Sequence, residues 1–180
     1  MSSKHTSAQL HLQRLVMAAL LAAISILCGK YLAFPREATL RFSFENLPLL
    51  MAGFSMGPWV GAMTAVVADL VGCVLVGYPV NPTVTLGAAA IGLLGGLCFS
   101  LLKRLPLFWR ISIASLAAHA VGSVGIKTLG LSQYYDMPFF TLLLWRTLNY
   151  VIILVLEVGL LLLFFKHKAI YRQLSRFGRL

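Results

Sequence analysis

Long apolar runs alternate with short polar connections along this chain of 180 residues. Five of the runs approach or exceed the ~20 residues that an α-helix needs to cross the hydrocarbon core of a bilayer. A sixth, shorter run begins directly after a polar connection, and the runs end near glycine, proline or basic residues, which commonly mark helix ends. The pattern predicts six spans and a basic tail, at about residues 15–34, 47–56, 58–76, 84–102, 108–130, 139–165 and 166–180.

The composition agrees with this pattern. Hydrophobic residues make up 59% of the chain and charged residues 11%, whereas a soluble domain has about 25% charged residues. A chain of this length has room for about six spans and for no separate soluble domain. We therefore expect an all-α integral membrane protein, built as one six-transmembrane-helix bundle over residues 1–180.

The net charge of +10 is explained by membrane topology better than by nucleic-acid binding. With six spans, ten of the fifteen basic residues fall on the side of both termini: Lys4, Arg14, Lys103, Arg104, Arg110, Lys166, Lys168, Arg172, Arg176 and Arg179. Cytoplasmic segments of membrane proteins carry such an excess, so both termini and the tail are predicted to be cytoplasmic. No zinc-finger spacing and no basic helix with interleaved aromatic residues indicates a nucleic-acid partner.

Sequence motifs for catalysis or metal binding are missing. The three cysteines lie singly in apolar runs and have no CxxC spacing. The sequence contains no HExxH, no Walker A motif and no nucleophile elbow. We expect no enzymatic activity, no metal and no cofactor, so active transport would require ATP hydrolysis by another chain.

Arg41 and Glu45 stand four residues apart, with Phe42 and Phe44 between them, at the edge of the second span. Ionisable groups in a membrane usually face the bundle interior or a cavity. The two residues form either an i,i+4 ion pair at a helix start or part of a solute site. In the second interpretation Arg41 binds an acidic group as a planar fork, and Phe44 supplies flat apolar contact.

Later spans carry further candidates. Arg146 and Asn149 lie three residues apart and share a helix face, which is predicted to line a pocket. Lys127 lies near the outer end of the fifth span. Asp69 serves either as a hydrogen-bonding group that fixes helix packing or as an acceptor for an amino-pyrimidine edge.

The combined motifs resemble those of the substrate-binding S components of energy-coupling factor (ECF) vitamin transporters, most closely the folate family. The residues that carry the resemblance are 40–48 (LRFSFENLP), 57–61 (GPWVG), 68–72 (ADLVG) and 81–88 (NPTVTLGA). Small residues at four-residue spacing in the first span, typical of close helix contacts, match the motif by which S components dock. That motif comprises Ala18, Ala19, Ala22 and Ala23.

The resemblance implies a multi-pass protein of the bacterial cell membrane that captures a vitamin near its outer face. The site would be capped by the loops after spans one, three and five. The partners would be a transmembrane coupling protein, docked on the first span, and two ATPase subunits. From charge and position, the expected substrate-binding residues are Arg41, Phe44, Glu45, Asn81, Lys127, Arg146 and Asn149.

Three other interpretations stay open. The solute is another flat heterocycle, such as a queuine-like deazapurine or a different vitamin. The chain is a membrane assembly protein, with its small-residue stripes as docking faces. Or it is a membrane enzyme acting on lipid head groups, with Asp69 and His119 as acid and base. Otherwise His119 is expected to be a packing residue, and Glu157 to pair inside the bundle or with a partner.

Overall fold

The computed structural model describes residues 7–34, 42–168 and 172–173, and in these residues the chain is helical apart from short connections. An antiparallel bridge joins Phe34 to Phe42. The helical elements are α1 (Ser7–Ile26), a first π-helical segment (Leu27–Tyr31), α2 (Asn46–Met56), α3 (Pro58–Val76), α4 (Pro82–Leu101), α5 (Leu107–Ala118), a second π-helical segment (His119–Ile126), α6 (Lys127–Tyr135) and α7 (Phe139–Lys166).

Five helical stretches in the described part are long and apolar enough to cross a membrane. They are Gln9–Tyr31, Pro58–Val76, Pro82–Leu101, Leu107–Tyr135 and Phe139–Lys166. The predicted second span is the short helix α2, whose 11 residues extend about 16 Å at 1.5 Å per residue. That length is about half of a bilayer core of ~30 Å, so the described chain has six helical rods, of which five are of spanning length.

Helix α2 is buried at every one of its residues. It packs against α1, α3, α4 and α7, so no face of the helix is left for solvent or lipid. A helix enclosed on all sides has no need of a polar stripe. This explains why its sequence is a continuous apolar run rather than an amphipathic pattern.

Small residues bring α2, α3 and α4 close together. Gly57, with φ of 101°, reverses the chain after α2, and Pro58 starts α3 at a position that suits proline. A Cβ atom on Gly53 would lie 2.6 Å from the backbone oxygen of Gly92, and one on Gly61 would lie 2.7 Å from the same oxygen. Such backbone contact gives helix packing that lipid tails cannot replace.

The two halves of the bundle have different cores. Where α2, α4 and α7 end, the core is aromatic: the Phe54 and Phe99 rings stack with centroids 4.4 Å apart, and the Phe165 ring lies 6.0 Å from that of Phe99. The opposite end carries the connection between α3 and α4 (residues 77–81), and is named the pocket end. Here α1 and α6 end while α2 and α7 begin, and this half contains the buried Lys127 and Arg146.

Candidate functional site

A cavity with charged walls lies toward the pocket end, between α1, α2, α3, α4 and α6. Its charged lining residues are Lys30, Glu45, Asp69 and Lys127, and the rest of the lining is small, apolar or Ser25. The enclosed volume is about 20 Å³, about the room that one water molecule needs. Ligand sites place a few polar groups among apolar walls, and it is this lining, rather than the size of the space, that makes the cavity the candidate binding site.

Glu45 and Lys127 form an ion pair inside the cavity. The Lys127 Nζ atom donates to Glu45 Oε1 at 2.7 Å. Lys127 is 5% exposed, and the Glu45 side chain is 20% exposed. Loss of the Glu45 carboxylate would leave the buried Lys127 ammonium without this counter-charge, which is costly in a membrane interior. The pair therefore ties the residue before α2 to the first residue of α6.

The neighbouring helices are shaped to admit this pair. The Ser25 hydroxyl of α1 donates to the backbone oxygen of Glu45 at 2.7 Å. A Cβ atom on Gly29 would lie 2.6 Å from Glu45 Oε2, and one on Gly87 would lie 2.6 Å from Lys127 Cγ. Glycine is needed at both positions because each charged side chain crosses a helix where any larger residue would collide with it.

Lys30 lies in the first π-helical segment, and π-helical turns occur frequently at functional sites. Its carbon chain passes over Gly72 of α3, where a Cβ atom would lie 2.9 Å from Lys30 Cε. The Nζ atom lies 3.5 Å from the sulfur of Cys73 and 5.7 Å from the centre of the Tyr78 ring. Within the described ranges, no carboxylate lies at ion-pair distance from this ammonium group.

Asp69 faces the cavity from the middle of α3. The Thr85 hydroxyl of α4 donates to Asp69 Oδ2 at 2.6 Å. The same hydroxyl also lies 3.2 Å from the backbone oxygen of Asn81, but a hydroxyl has one proton and the shorter contact is to a carboxylate. Thr85 therefore holds the Asp69 carboxylate between α3 and α4, where Asp69 lines the cavity.

A second polar region lies between the second π-helical segment, α6 and α7. Arg146 is 6% exposed; its Nε atom donates to the Thr128 hydroxyl at 2.9 Å, and a terminal nitrogen donates to the backbone oxygen of Ser123 at 3.0 Å. The guanidinium carbon lies 5.2 Å from the centre of the Tyr150 ring. Backbone, hydroxyl and ring thus hold the Arg146 side chain inside the bundle.

His119 and Glu157 continue this region toward the other half of the bundle. Their Nε2 and Oε2 atoms lie 2.6 Å apart, and His119 Nδ1 lies 3.0 Å from the Ser123 hydroxyl. Glu157 is fully buried and His119 is 2% exposed. The prediction that Glu157 pairs inside the bundle agrees with this contact, and His119 is its partner. We name Arg146, Ser123, His119 and Glu157 the α7 network.

The predicted site residues are divided between several places. Glu45 and Lys127 line the cavity. Arg41 falls outside the described residues, and Phe44 is 37% exposed beside Glu45 without lining the cavity. Asn81 caps α4: its Oδ1 atom accepts from the backbone N–H groups of residues 83 and 84, and its Nδ2 atom donates to the backbone oxygen of residue 130.

The predicted shared face of Arg146 and Asn149 is present in α7, where both residues are buried. That face is turned to the interior, and neither residue is part of the cavity lining. The assignment of Arg146 and Asn149 as substrate-binding residues therefore stays a prediction, in a region separate from this cavity. An i,i+3 spacing shows that two side chains share a face, but it does not show which neighbour that face meets.

Lys30 and Asp69 belong to the cavity although neither was among the predicted substrate-binding residues. The sequence left Asp69 as either a packing group or a ligand group, and Lys30 lies near the end of the first apolar run. A signal was available for Lys30, because a charge inside a span usually faces a cavity or a partner. The groove that accommodates the Lys30 side chain depends on Gly72, which lies on another helix.

The predicted docking alanines lie on two faces of α1. Ala22 is 5% exposed and packs inside the bundle against the cluster that contains Ala65, and Ala18 is partly buried. Ala19 and Ala23 are exposed. A partner that approaches α1 from outside would therefore meet Ala19 and Ala23 rather than Ala22.

Comparison with known proteins identifies a family whose model spans most of the chain. The model of the family described as ECF transporter, substrate-specific component, matches residues 13–171. No relative among curated protein sequences matches at a significant level.

The fold is shared with solved structures of low sequence identity. A crystal structure of FolT bound with folic acid is 23% identical, with a TM-score of 0.67, and the match covers 81% of this chain and 87% of that one. The S-component for biotin from an ECF-type ABC transporter is 20% identical, with a TM-score of 0.62 and coverage of 86% and 93%. An S component of a bacterial ECF transporter is 20% identical, with a TM-score of 0.59 and coverage of 93% and 98%.

Proposed function

The chain belongs to the family of substrate-specific components of ECF transporters, and from this premise we propose that it binds folate in the charged cavity and delivers it across a bacterial cell membrane. Family membership makes it a multi-pass membrane protein that binds a vitamin-type substrate and works with an ECF module. We further propose which solute it binds, where it binds, and how the chain is oriented in the membrane.

The observation that carries the proposal is the charge pattern of the cavity. Lys30, Glu45, Asp69 and Lys127 line one space between helices, in a bundle whose lipid-facing surface is apolar. Folate has a flat ring with an amino-pyrimidine edge and a tail with two carboxylates. A carboxylate such as Asp69 accepts hydrogen bonds from the ring edge, and an ammonium group pairs with the tail.

The choice of folate among vitamins is supported by the likeness to FolT bound with folic acid. The same fold also occurs in a biotin S-component, so the fold alone is compatible with other solutes. Among these, a molecule with both acidic and amino groups fits the mixed charges of the cavity. Arg41 and Phe44 remain proposed contributors to its rim, on the argument from charge and position.

We propose that the pocket end faces outward and that both termini are cytoplasmic. Lys103 and Arg104 lie in the connection between α4 and α5, at the end opposite the pocket, and both are exposed. Lys166 ends α7 at that same end. Basic residues accumulate on the cytoplasmic side of membrane proteins, which leaves the cavity open to solute from outside.

The proposed energising partners are a transmembrane coupling protein and two ATPase subunits, docked through the exposed Ala19 and Ala23 of α1. We expect Ala19→Leu to abolish co-purification with the coupling protein, because leucine prevents close helix approach. Ala120→Leu is the control, because Ala120 is also exposed but lies in the second π-helical segment. Retained assembly of Ala19→Leu would contradict this docking face.

The proposed function is tested by titration calorimetry of the purified protein with folate, queuine and biotin. Folate is expected to bind with a Kd below about 1 μM, and the other two at least about tenfold more weakly. Binding of queuine or biotin with no binding of folate would overturn the folate assignment. Binding of none of the three would count against the cavity as a site for this class of solute.

A double variant tests whether the cavity is the site. Glu45→Gln with Lys127→Met removes both charges of the pair and nearly conserves side-chain volume, a replacement that proteins often tolerate. We expect folate affinity to fall while the fold is kept, because the polar wall of the cavity is lost. Lys103→Met is the matched control at the opposite end, and its affinity should equal that of the unmodified protein.

A further inference from the structure

Two of the four charged side chains in the cavity neutralise each other, and the other two do not. Glu45 and Lys127 are in direct contact at 2.7 Å. Among the described residues, neither Lys30 nor Asp69 has an oppositely charged side chain at ion-pair distance. An uncompensated charge inside a membrane protein is costly and commonly marks a substrate path. One cation and one anion of this cavity are therefore free to bind a solute.

The two groups lie at different depths. The ammonium of Lys30 contacts Cys73, which is four residues beyond Asp69 on α3. Four residues of α-helix rise about 6 Å, and α3 runs toward the pocket end. The contact with the half-exposed Tyr78 ring also places Lys30 near the mouth of the cavity. Asp69 thus lies about one helical turn deeper than the Lys30 ammonium.

Each group is prepared by its surroundings. Gly72 leaves a groove in α3 for the carbon chain of Lys30, and the sulfur of Cys73 is a weak acceptor that an acidic group can outcompete. Thr85 donates to Asp69 Oδ2. Among described residues no second donor reaches this carboxylate, which can accept about four hydrogen bonds.

The other two cations that the structure describes in this half of the bundle, Lys127 and Arg146, already have partners. Lys127 is nearly buried and paired with Glu45, so an incoming acid would have to displace a carboxylate already in place. Arg146 donates to Thr128 and Ser123 and does not line the cavity. Lys127 is thus taken by a carboxylate, and Arg146 lies outside the space that a solute in the cavity would occupy.

Building on the proposed function, we propose that Lys30 is the anion-binding residue of the site and Asp69 its hydrogen-bond acceptor. The solute is amphoteric: it carries an acidic group held by Lys30 near the mouth and an edge of N–H donors held by Asp69 one turn deeper. The Glu45–Lys127 pair shapes the wall between them.

The test pairs protein variants with solute variants, because a two-way comparison isolates one contact. Folate and its diamide, in which both tail carboxylates are converted to amides, are titrated into the unmodified protein and into Lys30→Met. The unmodified protein should prefer folate about 10- to 100-fold, the range for a charged hydrogen bond. Lys30→Met should bind both compounds at the lower affinity, and Lys30→Arg should restore most of the preference.

Asp69→Asn gives the complementary result. It should weaken folate and the diamide by the same factor, because the two compounds share the ring edge. Lys103→Met serves as the control and should retain full affinity and full preference. Thermal unfolding of each purified variant verifies that lost binding does not arise from lost folding.

The outcomes separate this inference from the folate assignment. If Lys30→Met still prefers folate over its diamide, Lys30 is not the anion-binding residue. If the unmodified protein binds no folate, the folate assignment fails, and the solute that co-purifies is identified by mass spectrometry. If that solute is acidic and no longer co-purifies with Lys30→Met, the inference is supported. If it is neutral or cationic, the inference is overturned. If no solute co-purifies, both the inference and the folate assignment are overturned.

Discussion

The cavity and the α7 network both contain buried charged groups, but the chain satisfies them to different degrees. In the α7 network, Arg146 has hydroxyl and carbonyl acceptors, and Glu157 contacts His119 through Oε2, while its Oε1 atom is buried without a hydrogen-bond partner among the described residues. In the cavity, the Glu45–Lys127 pair lies beside Lys30 and Asp69, which have no charged partner among the described residues. Polar groups that find their partners within the chain hold helices together. Groups that keep an uncompensated charge or unused hydrogen-bonding capacity are suited to bind a solute.

The comparison predicts that the two regions respond differently to mutation. Changes in the α7 network should lower the free energy of unfolding and leave the affinity of the folded protein nearly unchanged. Changes at Lys30 or Asp69 should lower affinity with little effect on unfolding.

The largest expected effect is on stability, for Arg146→Met. The variant loses two hydrogen bonds of a charged donor and leaves Thr128 and the Ser123 carbonyl without that donor. We expect the free energy of unfolding to fall by about 3 kcal/mol, measured by thermal or denaturant unfolding in detergent. Folate affinity of the folded fraction should change less than about twofold, and a loss comparable to that of Lys30→Met would place Arg146 in the site.

A smaller effect is expected for Gly87→Ala. The added methyl group would lie 2.6 Å from Lys127 Cγ and 2.9 Å from the Gly122 backbone oxygen. Overpacking of this kind costs about 1–3 kcal/mol, and it should also weaken folate binding because the Glu45–Lys127 pair must shift. The matched control is Gly159→Ala in α7, where a Cβ atom meets nothing within 4 Å. Equal stability losses in the two variants would contradict the role of Gly87.

The smallest effect concerns Asn81→Ala. The side chain caps α4 through the N–H groups of residues 83 and 84 and bonds to the Gly130 oxygen of α6. We expect a loss of about 1 kcal/mol in unfolding free energy and only a slight change in affinity, because Asn81 does not line the cavity. A loss of affinity without a loss of stability would instead favour the original prediction that Asn81 contacts the solute.

Much of the fold was predictable because apolar run length and glycine–proline positions report directly on helix length and helix ends. The predicted starts of α3 and α7 agree with the structure to within a residue. The two π-helical segments were not predicted, because a widened turn depends on neighbouring helices rather than on local sequence. The shortness of α2 was visible in its run, but its burial on all sides required the assembled bundle.

The site was predictable only in part. Glu45 and Lys127 were singled out as charges inside a membrane protein, but they are 82 positions apart and nothing local shows that they pair. The same argument selected Arg146, which the bundle holds away from the cavity. Lys30 was missed because its groove is supplied by Gly72 of another helix. Sequence thus revealed which residues are unusual, and tertiary packing decided which of them line one space.

The most direct test of the account is structure determination of the protein with folate, or with the solute that co-purifies. The account predicts that the solute lies between α1 and α3, with an acidic group at Lys30 Nζ and a donor edge at the Asp69 carboxylate. Solute density beside Arg146 and Tyr150, with Lys30 and Asp69 out of contact, would contradict it.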